Sequence, residues 1–540
     1  MGKTEDLTNA TIAERLEAFA TMLDLAGARP YSARAYRRAA DLIRTTRAPV
    51  ADLVRRNRVT ELRGIGPSIA RRLGELVETG RIGELAELEQ EVSPEVVGYG
   101  RYLGLTAKRA LQLARALDVS TAAEFRSAIE DGRARAVAGV GPRTERLLRE
   151  RIAAPPRERK PPVLLDRARV LLARVAGALE AVPAGDVRRS LDAPERLALV
   201  RPAEKPAPVI AAFARLPEIV TLVDREERRA VGVTVEGTAV ELVVAEPAEL
   251  GTALVRATGA ERYVAALEPL PQAASEAEVY ARLGIPFCPP ELREEPFRGE
   301  PPALLELADL RGDLHCHTTW SDGRASVLEM AIAARERGYE YVAICDHTPN
   351  VRVVAGVGAD DLRRQADEIA AANEALAPFR VLRGVECDIL PDGSLDLPDD
   401  ALAELDWVTA SVHAGQRQPA GELTKRVADA MRHPAVRALS HPTGRLIGRR
   451  PPNALDLERA IELALETGVA LEVNGLPDRL DLKGEHVRLA VDAGAKLVVC
   501  TDAHSTAGLA NVELAVGTAR RGWATAADVV NTLPLADLLR

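Results

Sequence analysis

The stretch that most constrains this chain is Asp313-Leu314-His315-Cys316-His317-Thr318-Thr319-Trp320-Ser321-Asp322-Gly323. It gathers two histidines and two carboxylates in a 540-residue protein that holds only 8 His. Five apolar runs downstream (341–347, 381–386, 407–413, 436–441 and 497–504) end on His347, Glu386, His413, His441 and His504. Their β-branched and aliphatic content, followed by turn residues, predicts buried strands. Helical periodicity lies between most of them, at 327–337 and around 428–431. Strand, loop and helix in repetition predict an α/β plan with a parallel sheet or barrel. Side chains at the C-terminal ends of such strands converge on one face.

That convergence nominates His315, His317, Asp322, His347, Glu386, His413, His441, Asp502 and His504 as metal ligands. Imidazole nitrogen mixed with carboxylate oxygen suits Zn2+, Mn2+ or Fe rather than an all-oxygen Mg2+ or Ca2+ site. Nine ligands exceed the needs of one ion, so two or three ions are expected, with Mn2+ or Zn2+ as the cofactors. Clustered ions clamp the attacking and leaving oxygens of a phosphoryl displacement and lower the pKa of a bound water. A single histidine here would read equally well as an ordinary core or surface residue. Six at strand ends in one half of the chain read as a site. His433 and His486 lack comparable carboxylate neighbours and are set aside.

Residues from about 310 onward resemble a PHP domain (polymerase and histidinol phosphatase type). The resemblance rests on the Asp-Leu-His-Cys-His opening, Cys345-Asp346-His347, Gly384-Val385-Glu386 and Ser411-Val412-His413. It continues in Ser440-His441-Pro442-Thr443-Gly444-Arg445 and Thr501-Asp502-Ala503-His504. It implies a distorted (βα)7 barrel holding three metals. One ion would be shared by His315, His317, Glu386 and Asp502, a second by Glu386, His413 and His441, a third by Asp322, His347 and His504. Arg445 has a planar fork that matches phosphate oxygens, and a structural ion pair is the equal alternative. The catalytic set expected is His315, His317, Glu386, Asp502 and Arg445.

The front of the chain differs in charge. Residues 1–160 carry 29 Lys+Arg against 22 Asp+Glu, in a protein of net charge −9. A basic head on an acidic body is a modest nucleic-acid footprint. Residues 8–50 read as amphipathic helices, with Ile12, Leu16, Phe19, Met22 and Leu23 at helical spacing. Then Gly64-Ile65-Gly66-Pro67 opens a helix, and Gly139-Val140-Gly141-Pro142-Arg143 repeats it. Such a turn faces backbone N–H groups toward a phosphate at a helix N-terminus. The paired motifs resemble helix-hairpin-helix DNA-binding units, and Tyr102-Leu103-Gly104-Leu105-Thr106-Ala107 looks like a decayed copy. Gly64, Gly66, Arg71, Arg72, Gly139, Gly141 and Arg143, with Arg63, are the candidate DNA contacts. Solvated surface arginines are the alternative. The first residues show no apolar leader, and no run of about 18 apolar residues occurs. The five cysteines form no close pair. A cytoplasmic protein without a membrane partner is expected.

The order of parts resembles bacterial family X DNA polymerases: an 8-kDa helical domain (1–90), a helical fingers-like domain (91–154), palm and thumb (163–298), then PHP (308–540). The fold class implied is multidomain, with an all-α helix-hairpin-helix region, an α+β palm and thumb, and the α/β PHP barrel. Gly185-Asp186-Val187-Arg188-Arg189 resembles the palm's Gly-Ser-x-Arg-Arg signature. Gly251-Thr252-Ala253-Leu254 and Ala257-Thr258-Gly259 resemble its later Gly-x-Ala and Thr-Gly-Ser segment. The family's Asp-x-Asp pair, however, falls on Arg196 and Ala198, and the third carboxylate is at best Glu241. Nucleotidyl transfer needs carboxylates to hold Mg2+, and an arginine repels that ion. Ser68 and Arg72 stand where a sugar-lyase lysine would lie, while Lys3 and Lys108 are the only lysines before Lys160. Pro-rich stretches at 154–162 and 289–302 read as linkers.

The expected function is a DNA-binding, metal-dependent phosphoesterase, a 3′→5′ exonuclease acting on gapped, nicked or single-stranded ends. Removal of 3′ phosphates or cutting at abasic sites could accompany it. An active gap-filling polymerase, a small-molecule phosphatase of the histidinol-phosphate kind and a non-enzymatic DNA-binding scaffold are the rivals.

Overall fold

The computed structural model describes residues 9–25, 30–46, 50–62, 64–85, 93–153, 162–296, 299–351 and 355–540. Two compact units divide the chain: Met1–Arg157 with Ala207–Leu242, and Glu158–Pro206 with Val243–Arg540. Among the described residues, no helix is long and apolar enough to cross a membrane.

The first unit is helical at its start. Helices Asn9–Leu25, Pro30–Thr45 and Pro67–Thr79 bury Ile12, Leu16, Phe19, Ile43, Leu73 and Leu76. These are the apolar stripes expected from the periodicity. A second cluster gathers Tyr99, Leu113, Phe125, Ile129 and Leu148 from helices Pro94–Tyr102 to Pro142–Ala153.

A five-stranded sheet is built from β1 (Val182–Gly185), β2 (Leu197–Pro202), β3 (Thr221–Arg225), β4 (Arg229–Val233) and β5 (Ala239–Ala245), in the order β1-β2-β5-β4-β3. The connection between β1 and β2 is tied by Asp186. Its Oδ2 accepts the N–H groups of Glu195 and Arg196 at 2.9 and 2.8 Å, and its other oxygen pairs with Arg189.

The second unit carries seven parallel strands: β6 (Gly312–Cys316), β7 (Tyr341–Ile344), β8 (Arg380–Asp388), β9 (Trp407–Ser411), β10 (Val436–Leu439), β11 (Ala470–Asn474) and β12 (Leu497–Cys500). They follow chain order from β6 to β12. The barrel nearly closes through the Cys316–Ala503 bridge and through His317 N donating to Ala503 O at 2.8 Å. Helices such as Val327–Glu336 and Ala420–Met431 stand between strands, as the periodicity predicts. Every β11 residue is buried. The sequence runs locate the other six strands of the expected seven but not this one, because it ends on Asn474 rather than on histidine or glutamate.

Two expectations need correction. Several strands stop short of the residue expected to end them: β7 ends at Ile344, β9 at Ser411, β10 at Leu439 and β12 at Cys500. His413, His441, Asp502 and His504 sit in the loops just beyond, while His347 returns to the sheet in a parallel bridge to Glu386. The expected linker at 289–302 is instead packed over 289–294, while 295, 296, 299 and 300 are exposed. Leu292 joins a buried cluster, and the wholly buried Arg293 pairs with Glu276. A buried cation requires a partner, which fixes this segment in place. The linker at 154–162 lies almost entirely outside the described residues.

Candidate metal centre

The nine nominated side chains meet at one end of the barrel. β6 delivers His315 with its side chain inward, and β8 delivers Glu386; both are at most 1% exposed. Glu386 occupies the middle of the cluster. Its Oε2 lies 2.7 Å from His347 Nδ1, 3.5 Å from His315 Nε2 and 3.7 Å from His317 Nε2. Its Oε1 lies 2.9 Å from His441 Nε2 and 3.5 Å from His413 Nε2. Asp502 Oδ1 stands 3.0 Å from His317 Nε2, and Asp322 Oδ2 stands 3.3 Å from His504 Nε2.

Three groups of donor atoms lie close enough to hold ions: His317, Asp322, His347 and His504; His315, His317 and Asp502; and His347, Glu386 and His413. Relative to the grouping implied by resemblance, His317 also joins the Asp322 group, and His347 also joins Glu386. His441 falls outside these groups, although it touches Glu386.

The donor set fits metal ions. Buried polar atoms are nearly always hydrogen-bonded, yet His317 Nδ1, His347 Nδ1, His441 Nδ1 and both oxygens of Glu386 are buried without a hydrogen-bond partner. The close approach of His347 to Glu386 therefore lacks hydrogen-bond geometry. The Nε2 atoms of His315 and His317 also face each other at 3.2 Å. Cations between these atoms would satisfy them together.

Charge is strongly polarised. Burial opposes ionisation of Glu386, but His413, His347 and His315 hold it well below the ordinary carboxylate range. Asp502 is likewise held low, against burial, by His315, His317 and His504. Burial and the neighbouring His504 and His347 push His317 down to about 4. Burial opposes protonation of His315, but Glu472, Asp502 and Glu386 hold it well above its ordinary value.

A surrounding layer fixes these residues. Glu472 Oε1 contacts His315 Nδ1 at 2.6 Å, while its Oε2 accepts Ser440 Oγ and the His441 N–H. Asp313 accepts Thr501 and the His315 N–H. Asp346 accepts Thr318, Ser321 and Gln365. Asp388 accepts the His413 N–H, and Asn474 donates to Asp502 at 2.9 Å. Glu472, Asp313, Asp346, Asp388 and Asn474 are not among the nine nominated ligands. A carboxylate inside an otherwise apolar strand, as in Ala470-Leu471-Glu472-Val473-Asn474, was the available signal. Asp322 and His504, 28% and 30% exposed, with His413 at 16%, form the open side.

Arg445 is already engaged. Its Nη1 donates to Asp192 at 2.6 Å and its Nη2 to Leu480 O. The ion-pair alternative is thus the one formed. His433 lies 3.4 Å from Asp399, and neither it nor His486 joins the cluster.

In the first unit, Gly64 and Gly139 take φ of +116° and +80°. Glycine adopts such values at no steric cost. Each turn leads to a helix beginning with proline, at Pro67 and Pro142, and Gly66 and Gly141 have open space where a Cβ would stand. Arg71 and Arg143 are exposed. Arg72 instead pairs with Glu75 and Glu84 beneath Phe19, and Ser68 contacts Tyr36. Arg63 and Lys3 lie outside the described residues.

A helix-hairpin-helix domain model matches residues 7–82, and a PHP domain model matches residues 313–474. A probable phosphatase of Thermoanaerobacter sp. (strain X514) is 28% identical over 232 residues, covering 41% of this chain and 89% of its own. A probable phosphatase of Acetivibrio thermocellus is 32% identical over 202 residues, 36% of this chain and 78% of its own. Similarity to the DNA polymerase/3′-5′ exonuclease PolX of Bacillus subtilis (strain 168) runs almost end to end, at 33% identity over 556 residues and 97% of each chain. With its helical front, its mixed sheet and its seven-stranded barrel in that same order, the chain belongs to the PolX family, family X DNA polymerases with a C-terminal PHP domain.

Proposed function

We propose that this protein is a metal-dependent phosphoesterase that shortens DNA from 3′ ends. The observation that carries this reading is the convergence of five histidines on Glu386, whose two buried oxygens have no hydrogen-bond partner, with His504 beside Asp322 at the open side. His315, His317, Asp322, His347, Glu386, His413, His441, Asp502 and His504 would hold two or three ions, Mn2+ or Zn2+. Bound there, such ions supply Lewis acidity toward a phosphoryl oxygen and a water of lowered pKa. The chain's own part is to fix the donors. Glu472, Asp313 and Asp388 hold His315 and His413 in place, which limits reorganisation during the reaction. The side bounded by Asp322, His413 and His504 admits the strand end. Hydrolysis adds water across the P–O3′ bond, releasing a nucleoside monophosphate and a shortened strand with a new 3′ hydroxyl.

The hairpins at Gly64-Ile65-Gly66 and Gly139-Val140-Gly141, with Arg71 and Arg143, would grip the duplex by its phosphates without reading sequence. The exposed backbone at Gly66 and Gly141 supports this. Arg72 is better read as structural, given its two glutamate partners.

We read the palm as inactive in nucleotidyl transfer. Ala198 is buried on β2 opposite Ala184, and Arg196 precedes that strand. Glu241 on β5 is engaged by Arg229 at 2.6 Å. Lyase chemistry is unsupported as well, since Ser68 and Arg72 offer no amine nucleophile. The similarity of the PHP portion to probable phosphatases favours one second reading, hydrolysis of a small phosphate monoester.

A 5′-labelled gapped duplex with Mn2+ tests these readings, comparing the wild type with His315→Ala, with and without dNTPs. Shortening lost in the variant is expected, with no extension. Extension in both proteins would overturn the inactive palm, and no shortening would favour the monoester.

A further inference from the structure

We propose that Asp192, in the connection between β1 and β2, is a positioning residue for the metal centre: through Arg445 it fixes the loop that presents His441. This rests on the phosphoesterase reading above and extends it to a residue of the polymerase-like region.

The loop at 440–445 is anchored at several points. Glu472 accepts Ser440 Oγ at 2.8 Å and the His441 N–H at 2.7 Å. Asp481 accepts Thr443 N–H and Oγ1 at 3.1 and 2.9 Å. These inner anchors belong to the barrel. They hold His441 at φ of +24°, a left-handed value that a non-glycine residue keeps only where its surroundings over-determine it. His441 Nε2 is thereby brought to 2.9 Å from Glu386. Arg445 closes the loop, binding Leu480 O on the neighbouring loop and Asp192.

Asp192 is itself held firmly. The backbone of its connection is pinned by Asp186 at the far end. Ser190, two residues before it, accepts from Arg169 and packs against Gly517, where a Cβ would meet Ser190 Oγ at 2.6 Å. Arg445 is only 9% exposed, and its Nε is buried without a partner. Asp192 is the carboxylate in direct ion-pair contact with it, with the buried Asp481 nearby as a second negative group. Removing the direct partner of such a pair leaves a buried charge under-compensated, and the loop is expected to move to hydrate it.

The test uses the full-length chain carrying Asp192→Asn, which keeps shape and loses charge, and Asp192→Glu, which keeps charge. Three readouts are compared: kcat and KM for Mn2+-dependent shortening of labelled DNA, Mn2+ affinity of the metal-free protein, and hydrogen exchange of peptides covering 436–450. Asp192→Asn is expected to lower kcat about 10-fold with DNA KM unchanged, in the range typical of residues that orient metal ligands. Mn2+ affinity should weaken comparably, and exchange should accelerate at 436–450 but not at 470–474. Asp192→Glu should restore most of each. Wild-type Mn2+ affinity and exchange in Asp192→Asn would overturn the proposal, as would a general loss of protection across the barrel. A wild type that shortens no DNA would instead refute the nuclease reading, and the affinity and exchange results would still decide the role of Asp192.

Discussion

Glu472 Oε1 lies 2.6 Å from Nδ1 of His315, with both side chains buried at the barrel's end. The contact turns the other ring nitrogen, Nε2, toward Glu386 and Asp502. Replacing Glu472 with Gln keeps volume but removes the charge that fixes ring orientation. The same change weakens the hold on Ser440 and His441. Mn2+ affinity, measured by titration of metal-free protein, should fall about 10- to 100-fold, as is usual for such partners. Unchanged affinity would mean that His315 is oriented by packing alone.

Metal removal should destabilise the barrel selectively. Without cations, the buried atoms of Glu386, His317, His347 and His441 have no hydrogen-bond partners. Mn2+ at 100 times its dissociation constant should then add about 2.7 kcal/mol of stability. A thermal melt of chelated protein, with and without added Mn2+, checks this. A melting temperature indifferent to Mn2+ would argue against ions in this cluster.

The fully buried Arg293 shares Glu276 with Arg188. Burial raises the pKa of Glu276, but the two arginines outweigh it and hold the carboxyl below its ordinary value of 4.5. The folded pKa is therefore below the unfolded one. The stabilisation is full above about pH 4.5 and is lost as pH falls through the folded value. Glu276→Gln should cost about 3 kcal/mol at pH 7, because it strands a buried guanidinium. That deficit should shrink in urea melts run progressively below pH 4.5. A pH-independent deficit would point to packing instead.

The hairpin glycines make a separate prediction. Gly139→Val places a β-branched side chain at φ of +80°, which should distort the turn and weaken DNA binding in a filter or anisotropy assay. Arg143→Ala should leave the turn intact and reduce the salt slope of binding by about 1, the signature of one lost phosphate contact. Equal slopes in wild type and variant would remove Arg143 from the interface.

Much of this protein was legible in its sequence. The nine converging side chains, a parallel sheet or barrel, the two Gly-x-Gly-Pro turns and the helical stripes follow from residue type and spacing, which fix local geometry and the face a side chain occupies; the barrel itself came with the PHP resemblance. Tertiary structure decided which groups meet. Glu472 carries no local signal of pairing with His315, 157 residues away. Arg445 was open between phosphate and ion pair until the fold brought Asp192 to it across 253 residues. The 289–302 stretch looked like a linker because proline content reports local stiffness, whereas Arg293 was packed by a distant Glu276. Periodicity and motif are local properties of the chain. The partner of a buried charge is set by which segments the fold closes together, because burial leaves that charge no solvent to fall back on.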